Sequence, residues 1–503
     1  MKPRAAWLLA ALALLSGCGT KATEYPLAAG QKNQLQAPLD VGPGRPLVVL
    51  AFSGGGSRAA ALAAVVVNRL NGLTYESNGQ TRTLASDIAV VSSVSGGSVY
   101  NADLGLNGPG NAGSFARRIQ AFDGIGWLER KALNPFTWIG LQLAGKTRVD
   151  VQQEMIEDLL QTKATMAALN QPGKPITLLN ASDMVAGQVF TFDRATLDDV
   201  CFDYNRVPVS LGVNASAAVP IAYTPVLLHN DSSLEGGCPG SRNTNLPYRT
   251  ALQSPGGPYA NLEAFRVARY RQSLRNEPVT PTGSTDPVPP YRTPVYLRLV
   301  DGGVADNSGL TGLRRALLGV GAPADLGRLV AQGRVRQVVV IVVNARSDIR
   351  NDLDTSSKYT DILTIANGIS GTLVDSASAN SAALFQDFVK LLADERDSLI
   401  KDGQAGANFG IYPISIDFDQ LPAVTQAQRD EQQAVKSIGT SWTLPAGSVA
   451  LLDRVAGELL WRHPCFNALV TDIDLRGKRE AEPVPNTRCP VKPPPRAGRS
   501  PPA

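Results

Sequence analysis

The chain has 503 residues, of which 43% are hydrophobic and 18% are charged, and this composition is typical of a globular enzyme with a substantial core. It excludes disorder of the whole chain. The formal net charge is only +4, and no basic stretch is interleaved with aromatic residues, so we expect no nucleic-acid partner. The chain has only two histidines, His229 and His463, and no CxxC motif, so we expect no metal site.

The first eighteen residues, MKPRAAWLLAALALLSGC, predict an export signal over residues 1–17. Lys2 and Arg4 precede an apolar segment that is short for a membrane span, and small residues follow it. The end of this stretch resembles the processing box of bacterial lipoproteins, in which the cysteine, here Cys18, becomes the lipid-modified first residue. Gly19 in place of Asp favours the outer membrane. We therefore expect an exported lipoprotein anchored to the outer membrane and facing the periplasm; a plain secretory signal is the alternative.

Four cysteines remain if Cys18 is lipidated, and an even number in an exported chain suggests disulfides. Three connectivities are open to four cysteines. We favour Cys201 with Cys238 and Cys465 with Cys489, because each of these pairs closes a modest local loop.

Between residues 45 and 350, apolar β-like runs alternate with helix-like segments, which is the pattern of an α/β sheet protein. Five runs predict strands, and their near-continuous apolar character suits a sheet that is covered on both faces; they are RPLVVLAF, DIAVVSSV, ITLLNASD, PVYLRLVD and RQVVVIVVN. Segments rich in Pro, Gly and Ser predict a surface insertion at about residues 231–293. The other parts are a tether over residues 18–44, a mainly helical C-terminal region over residues 351–476 and a Pro- and Arg-rich tail over residues 477–503.

A glycine-rich turn, Gly54–Gly56, lies between the first predicted strand and a helix-like segment. Such a turn at a helix N-terminus collects backbone N–H groups that suit an anion. The turn lacks the Lys of a phosphate loop, and Ala59 stands where a dinucleotide loop has its third glycine, so we expect no nucleotide cofactor. The remaining anion is the transient oxyanion of an acyl-transfer reaction, stabilised by Gly54, Gly55 and Gly56. A purely structural turn is the alternative.

Ser95 follows a predicted strand in the sequence SSVSGGS, which has the small-x-Ser-x-Gly spacing of a nucleophile elbow. This sharp turn needs small residues two positions before and two positions after the nucleophile. Ser93 and Gly97 meet that need, with Ser93 replacing the usual glycine. Ser98 does not fit the same geometry, because Tyr100 follows two residues later. The spacing therefore predicts Ser95 as the nucleophile.

Asp301 ends another predicted strand, and Gly302 and Gly303 after it leave room for a second chain segment to approach its carboxylate. A serine hydroxyl is a poor nucleophile until a base takes its proton, and an Asp performs that role where a dry site raises its pKa. An Asp beside two glycines is most often only a turn, so this motif gains its meaning from the two others.

Together the three motifs resemble the patatin-like phospholipase family. The family's oxyanion motif is similar to Gly54–Gly56 with Arg58, its serine elbow to Ser95, and its Asp-Gly-Gly motif to Asp301–Gly303; NASAAVPIAYTPV, from Asn214, resembles a further family element. The resemblance covers roughly residues 46–307 without the insertion. It implies a patatin-like three-layer α/β/α sandwich with a surface insertion and a helical C-terminal region. It also implies a Ser-Asp dyad that hydrolyses acyl esters of lipids.

Arg58 lies in the first turn of a predicted helix, where a cation opposes the helix dipole. Two roles are open for it. It pairs with a carboxylate and so orients the glycine turn, or it faces the phosphate of a lipid substrate.

Two other functions also remain open. The first is a Ser-Asp-His esterase, since His463 follows Ser95 in the order that such enzymes require. The second is a non-catalytic, lipid-binding lipoprotein. The presence of all three motifs favours the dyad enzyme.

Overall fold

The structure is a computed structural model, and it describes the following parts of the chain: residues 22–34, 36–134, 146–220, 223–235, 237–240, 242–243, 252, 262–319, 322–346, 380–404, 406–484 and 489. The predicted signal segment with Cys18, part of the insertion, the first part of the C-terminal region and most of the tail lie outside these residues.

An eight-stranded sheet forms the centre of the described fold, in the order β10-β9-β1-β4-β5-β8-β7, with β6 paired to β5. The pairs from β10 to β5 are parallel, whereas β6, β7 and β8 join by antiparallel pairing. The strands are β1 (Leu47–Phe52), β2 (Thr74–Ser77), β3 (Gln80–Thr83), β4 (Ile88–Val94), β5 (Ile176–Asp183), β6 (Gln188–Thr191), β7 (Val226–His229), β8 (Tyr296–Val300), β9 (Gln337–Asn344) and β10 (Gly410–Asp417). The five predicted strands are confirmed as β1, β4, β5, β8 and β9, while β2 and β3 form a separate hairpin.

Helices cover both faces of this sheet. In the described residues they are α1 (Gly56–Asn71), α2 (Gly96–Asn107), α3 (Ala112–Ala121), α4 (Gly124–Leu133), α5 (Arg148–Leu160), α6 (Arg194–Asp199), α7 (Val209–Ser216), α8 (Leu262–Arg275), α9 (Leu310–Leu318), α10 (Leu326–Ala331), α11 (Ser381–Lys401), α12 (Gln426–Lys436), α13 (Ser448–Arg462) and α14 (Pro464–Asp472). Helices α1, α2, α3, α13 and α14 contribute to the core on one face, and α9, α10 and α11 to the core on the other.

The side chains of β1 show how one strand supplies both cores. Leu50 and Phe52 belong to the first core, and Val49 and Ala51 belong to the second. Successive side chains of a strand point to opposite faces, so a strand between two helical layers must be apolar throughout. All six residues of β1 are buried, which confirms the predicted three-layer α/β/α sandwich.

The described part of the predicted insertion is attached to the domain by buried ion pairs. Arg275 at the end of α8 lies 3.2 Å from Asp198 and 3.0 Å from Asp199, and Arg271 lies 2.5 Å from Asp199. A disulfide between Cys201 and Cys238 joins the same regions, with a Cα–Cα distance of 5.7 Å. The described part of the insertion is therefore fixed on the side of the sheet that carries β5, β8 and β7.

The C-terminal region belongs to the same sandwich. Its strand β10 pairs in parallel with β9 along its whole length and forms an edge of the sheet. The sequence predicts mainly helices here and misses this strand, because Pro413 lies within it; an edge strand tolerates a proline, which has no N–H to donate. A disulfide between Cys465 and Cys489 holds the start of α14 to a residue of the tail, with a Cα–Cα distance of 4.5 Å.

Residues 22–34 and 36–44 are the described part of the predicted tether, and they lie along the domain. Leu27 is only 1% exposed, and the N–H of Thr23 donates to the carbonyl oxygen of Leu227 over 2.8 Å. The Asn33 side chain donates to the Phe202 carbonyl over 2.7 Å. Such contacts satisfy backbone groups that a free tether leaves to water.

Candidate active site

Ser95 occupies a sharp turn between β4 and α2. Its backbone has φ 50° and ψ −128°, a conformation that non-glycine residues rarely adopt and that is typical of a nucleophile elbow. Its N–H donates to the Ser216 hydroxyl over 2.9 Å and approaches the Ser216 carbonyl oxygen at 3.1 Å. The Ser216 hydroxyl in turn donates to the Asn180 carbonyl over 2.6 Å. Residues of α7 and β5 therefore hold the turn in its strained form.

The small residues around the elbow are required by close contacts. A Cβ on Gly96 would collide with the carbonyl oxygen of Gly56, and a Cβ on Gly97 would lie 2.6 Å from the carbonyl oxygen of Ser53. Ser93 stands where glycine is usual, and its hydroxyl accepts a hydrogen bond from the Asn101 side chain over 2.8 Å. The elbow and the glycine turn are thus packed directly against each other, and the extra hydroxyl of Ser93 is satisfied.

The structure brings Ser95 and Asp301 together. The Ser95 hydroxyl donates to Asp301 Oδ2 over 2.6 Å, and the Gly303 N–H donates to Asp301 Oδ1 over 2.7 Å. The Asp301 N–H donates to the Ala218 carbonyl over 2.8 Å. One carboxylate oxygen therefore faces the serine, while the main chain orients the other.

Asp301 is 2% exposed, and this burial is the main cause of its altered acidity. Removal from water raises the pKa of Asp301 to about 6, and the hydrogen bonds from Ser95 and Gly303 oppose the rise. A carboxylate with a pKa near 6 is a stronger base than an ordinary aspartate, yet it is ionised at neutral pH. It can therefore accept the proton of a neighbouring hydroxyl.

The glycine turn presents two N–H groups beside the elbow. Gly55 has φ 139° and Gly56 has φ 59°, backbone conformations that glycine adopts without strain. The Gly54 N–H is already used, because it donates to the Asn307 carbonyl over 3.2 Å. Within the described residues, the N–H groups of Gly55 and Gly56 make no hydrogen bond. Of the three predicted oxyanion donors, Gly55 and Gly56 are thus the available ones.

Arg58 is buried in α1 behind this turn, with 1% exposure. Its Nε donates to the Ala345 carbonyl over 2.9 Å, and its Nη1 donates to the Ile438 carbonyl. Burial lowers the pKa of Arg58 to about 10, so the guanidinium stays charged at neutral pH. Among the described residues no carboxylate pairs with it. Arg58 therefore binds main-chain carbonyls and fixes the first turn of α1, without the carboxylate partner that the sequence suggests for a loop-orienting role.

A segment of the C-terminal region supports the glycine turn from the other side, and the sequence gives no indication of this contact. The Ser57 N–H donates to the Ser441 carbonyl over 2.8 Å. A Cβ on Gly56 would lie 2.7 Å from the same oxygen. Residues 438–441, which include the Ile438 carbonyl bound by Arg58, thus shape the predicted oxyanion site.

The structure does not bring His463 to Ser95. Its Nδ1 accepts from the Cys465 N–H over 3.2 Å and so caps α14, and its Nε2 faces the Ser415 N–H of β10 at 3.4 Å. Strand β10 lies three strands from β4, or roughly 14 Å at the usual strand spacing. Burial lowers the pKa of His463 to about 4, which suits a neutral structural histidine.

His229 lies at the opposite edge of the sheet from β10, on β7, and its Nδ1 is 2.6 Å from Asp231. Within the described ranges, no group of three or more His, Cys, Asp or Glu side chains is placed to hold a metal ion. Among the described helices, none combines the length and the apolar character that a membrane span requires.

The fold and the Ser95–Asp301 pair define an α/β/α protein with a nucleophile elbow and a neighbouring carboxylate. Residues 50–252 match the sequence profile of the family described as Patatin-like phospholipase, so this part of the chain is similar to that family. The matched region includes the glycine turn and Ser95, and Asp301 lies beyond it.

No curated protein sequence matches the chain at a significant level. One solved structure that the chain resembles is human GIVD cytosolic phospholipase A2, at 14% sequence identity and a TM-score of 0.32. That alignment covers 59% of this chain and 45% of the human chain, so this chain spans less than half of the human protein.

Proposed function

We propose that the protein is a lipid acyl hydrolase of the phospholipase A, lysophospholipase or carboxylesterase type, with Ser95 as nucleophile and Asp301 as base. The observation that carries this proposal is the 2.6 Å hydrogen bond from the Ser95 hydroxyl to the buried Asp301 carboxylate. The unused N–H groups of Gly55 and Gly56 belong to the glycine turn that packs directly against the elbow. The similarity of residues 50–252 to the Patatin-like phospholipase family supports lipid esters as the substrate class.

The first half of the reaction transfers the acyl group to the enzyme. Asp301 Oδ2 takes the hydroxyl proton of Ser95, and Oγ forms a bond to the acyl carbon of the ester. The negative charge that develops on the carbonyl oxygen is stabilised by the N–H groups of Gly55 and Gly56. When the carbon–oxygen bond of the ester breaks, Asp301 returns the proton to the leaving alcohol. The products are a free alcohol and an acyl-Ser95 ester.

The second half releases the acid. Asp301, again ionised, removes a proton from water, whose oxygen attacks the acyl-Ser95 carbonyl. The same two glycine N–H groups stabilise the second oxyanion. The proton held by Asp301 then returns to Ser95 Oγ as the acyl bond breaks, and the carboxylic acid leaves. The enzyme is regenerated without any other acid or base.

Covalent labelling with a fluorophosphonate probe tests this proposal together with hydrolysis of short-chain esters and phospholipids. We expect the parent chain to be labelled and to release fatty acid. A folded Ser95→Ala variant should lose both properties, because the attacking oxygen is missing. Ser98→Ala is the matched control, since Ser98 is another buried serine three residues away whose hydroxyl contacts Ser216 at 2.8 Å. Undiminished labelling of Ser95→Ala, or loss of labelling only in Ser98→Ala, contradicts the proposal.

We also propose that Cys18 is lipidated and anchors the protein to the outer membrane. The sequence supports this through the short apolar segment and the small residues that precede Cys18. Acyl chains on one residue contribute membrane affinity in proportion to the buried methylene groups. A folded Cys18→Ser variant should lose firm membrane association after a salt wash, as measured by fractionation. Equal retention of the variant and the parent contradicts the anchor.

A further inference from the structure

Exposed apolar side chains are concentrated on the turn after β5 and on the chain that enters β8. The set has exposed fractions between 45% and 94%, and we call it the β5–β8 rim; its members are Met184 (60%), Val185 (62%), Tyr291 (94%), Val295 (47%) and Tyr296 (45%). Side chains of this size are usually withdrawn from water, and a contiguous exposed group of them marks an interaction surface.

Four arginines surround a groove of about 790 Å³ beside this rim: Arg266, Arg269, Arg292 and Arg298. In the part of the chain that the structure describes, none of these four guanidinium groups forms an ion pair. The lining includes one carboxylate, Asp183, whose oxygens accept hydrogen bonds from Tyr270 over 3.0 Å and from the N–H of Val185 over 2.9 Å. The surface is therefore apolar, aromatic and strongly positive.

The β5–β8 rim lies at the same end of the parallel strands as the nucleophile, namely the carboxyl end. Strand β5 runs parallel to β4, and Asn180 pairs with Val94, the residue before Ser95. Asp183 and the turn after it lie about 10 Å further along the strand direction, at the usual rise per residue. Because β8 is antiparallel to β5, its first residue, Tyr296, lies beyond that same carboxyl end of β5. The rim thus extends beyond the active site, past the carboxyl end of β5.

We propose that the β5–β8 rim docks onto the surface of a bilayer that contains anionic phospholipid, and that it presents the active site to lipid. This inference rests on the proposed lipid hydrolase function. Valine and methionine side chains enter the boundary between headgroups and acyl chains, and tyrosines settle at the headgroup level. The four arginines bind lipid phosphates, which supplies the complementary charge.

A fluorescent probe tests contact with lipid directly. The full chain carrying Ser95→Ala, which leaves the lipid intact, is labelled through Val185→Cys with an environment-sensitive thiol dye. Ile400→Cys is the matched control, because Ile400 is also exposed, at 47%. It lies at the end of α11, shortly before β10 begins, and hence near the opposite, amino end of the parallel strands. Each of these chains also carries Cys18→Ser, so that neither a lipid anchor nor the Cys18 thiol contributes, and the same chain without an introduced cysteine gives the dye background.

We expect a blue shift and quenching by brominated lipid at position 185, but not at position 400, on vesicles of phosphatidylglycerol and phosphatidylethanolamine. Phosphatidylcholine vesicles should give a weaker response, with binding reduced about fivefold per unpaired arginine charge. Equal responses at the two positions, equal responses on both lipids, or no response at position 185 overturn the proposal; a groove for an acidic protein would give the last result.

Enzyme assays separate this inference from the proposed function. The double variant Met184→Asn/Val185→Asn should lower the ratio of vesicle hydrolysis to short-chain ester hydrolysis about tenfold, because apolar contact with the bilayer is lost. Ile400→Asn should leave that ratio unchanged. A parent chain without any esterase activity refutes the proposed function while the probe still reports docking. An unchanged ratio in the double variant refutes docking as the route to substrate.

Discussion

The hydroxyl of Ser95 donates a 2.6 Å hydrogen bond to the carboxylate of Asp301, although 206 positions separate the two residues in the chain. Ser95 directly follows β4 and Asp301 directly follows β8, and both residues lie at the carboxyl end of the parallel strands. No histidine among the described residues reaches this pair: His229 pairs with Tyr296 at the start of β8, whereas Asp301 follows the end of that strand, and His463 contacts β10, three strands from β4. The carboxylate is therefore the group that is placed to take the serine proton.

Replacement of Asp301 by Asn tests whether the carboxylate is the base. Asp301→Asn should lower kcat/KM on a short-chain ester by about a hundredfold or more, because a neutral amide cannot accept the Ser95 proton. His463→Asn is the control. Asn keeps an acceptor for the Cys465 N–H at the start of α14, so this variant should remain folded and active. An inactive, folded His463→Asn protein beside an active Asp301→Asn protein would establish a histidine base instead.

The pH dependence of activity should report the same carboxylate. Since burial raises the pKa of Asp301 to about 6, the base is protonated in acid and ionised at neutral pH. We expect kcat/KM to rise about tenfold per pH unit below this value and to level off above it. The measurement uses a soluble ester, so that vesicle charge does not alter the profile. Activity that is undiminished at pH 4 contradicts this assignment.

The raised pKa of Asp301 should lower the free energy of unfolding at pH values at which this carboxylate is ionised. The folded-state pKa of Asp301, about 6, lies above the ordinary value of 3.8, so the protonated form contributes stability that is fully present below about pH 4 and is lost as the pH rises through 6. Asp301→Asn should therefore raise the free energy of unfolding at pH 8 by up to about 3 kcal/mol and have little effect at pH 4. Denaturant unfolding at the two pH values measures this difference.

Asp306→Asn provides the contrast for that experiment. Asp306 is also buried, but its carboxylate accepts hydrogen bonds from the N–H groups of Ser308 over 2.8 Å and Thr311 over 2.7 Å. Its replacement should destabilise the protein, because charge-assisted hydrogen bonds are weakened. If Asp301→Asn destabilises the fold to the same extent at pH 8, the raised pKa of Asp301 has no energetic consequence.

Local patterns in the sequence predict much of this arrangement. Strand β1, the glycine turn and the serine elbow each occupy a few consecutive residues, and their chemistry is visible in short stretches. The same holds for Asp301 and its two glycines at the end of β8. The structure has these turns where the sequence predicts them, because residue identity at fixed spacing determines the turn.

Contacts between distant segments leave no such pattern. Ser216 supports Ser95 across 121 positions, and Ile438 accepts from Arg58 across 380 positions. Arg58 shows the difficulty clearly, since its place in a helix suggests a charged partner, whereas the structure supplies carbonyl oxygens from remote segments. Strand β10 is missed for a related reason, because only its position at the sheet edge makes Pro413 acceptable.

The support that the C-terminal region gives to the glycine turn leads to a prediction at Gly56. A Cβ there would lie 2.7 Å from the Ser441 carbonyl oxygen and 3.0 Å from the Ser441 nitrogen. Gly56→Ala should therefore displace the turn and lower kcat by about a hundredfold, because the two N–H groups no longer point at the oxyanion.

Gly79→Ala is the matched control for this change. Gly79 has φ 74°, close in kind to the φ of 59° at Gly56, but nothing lies within 4 Å of the position of its Cβ. Both substitutions should cost about 1 kcal/mol of stability through backbone strain alone. Only Gly56→Ala should lose activity, and its KM should change less than its kcat, since the oxyanion forms only during the reaction. Equal activity in the two folded variants would show that Gly56 does not help to shape the oxyanion site.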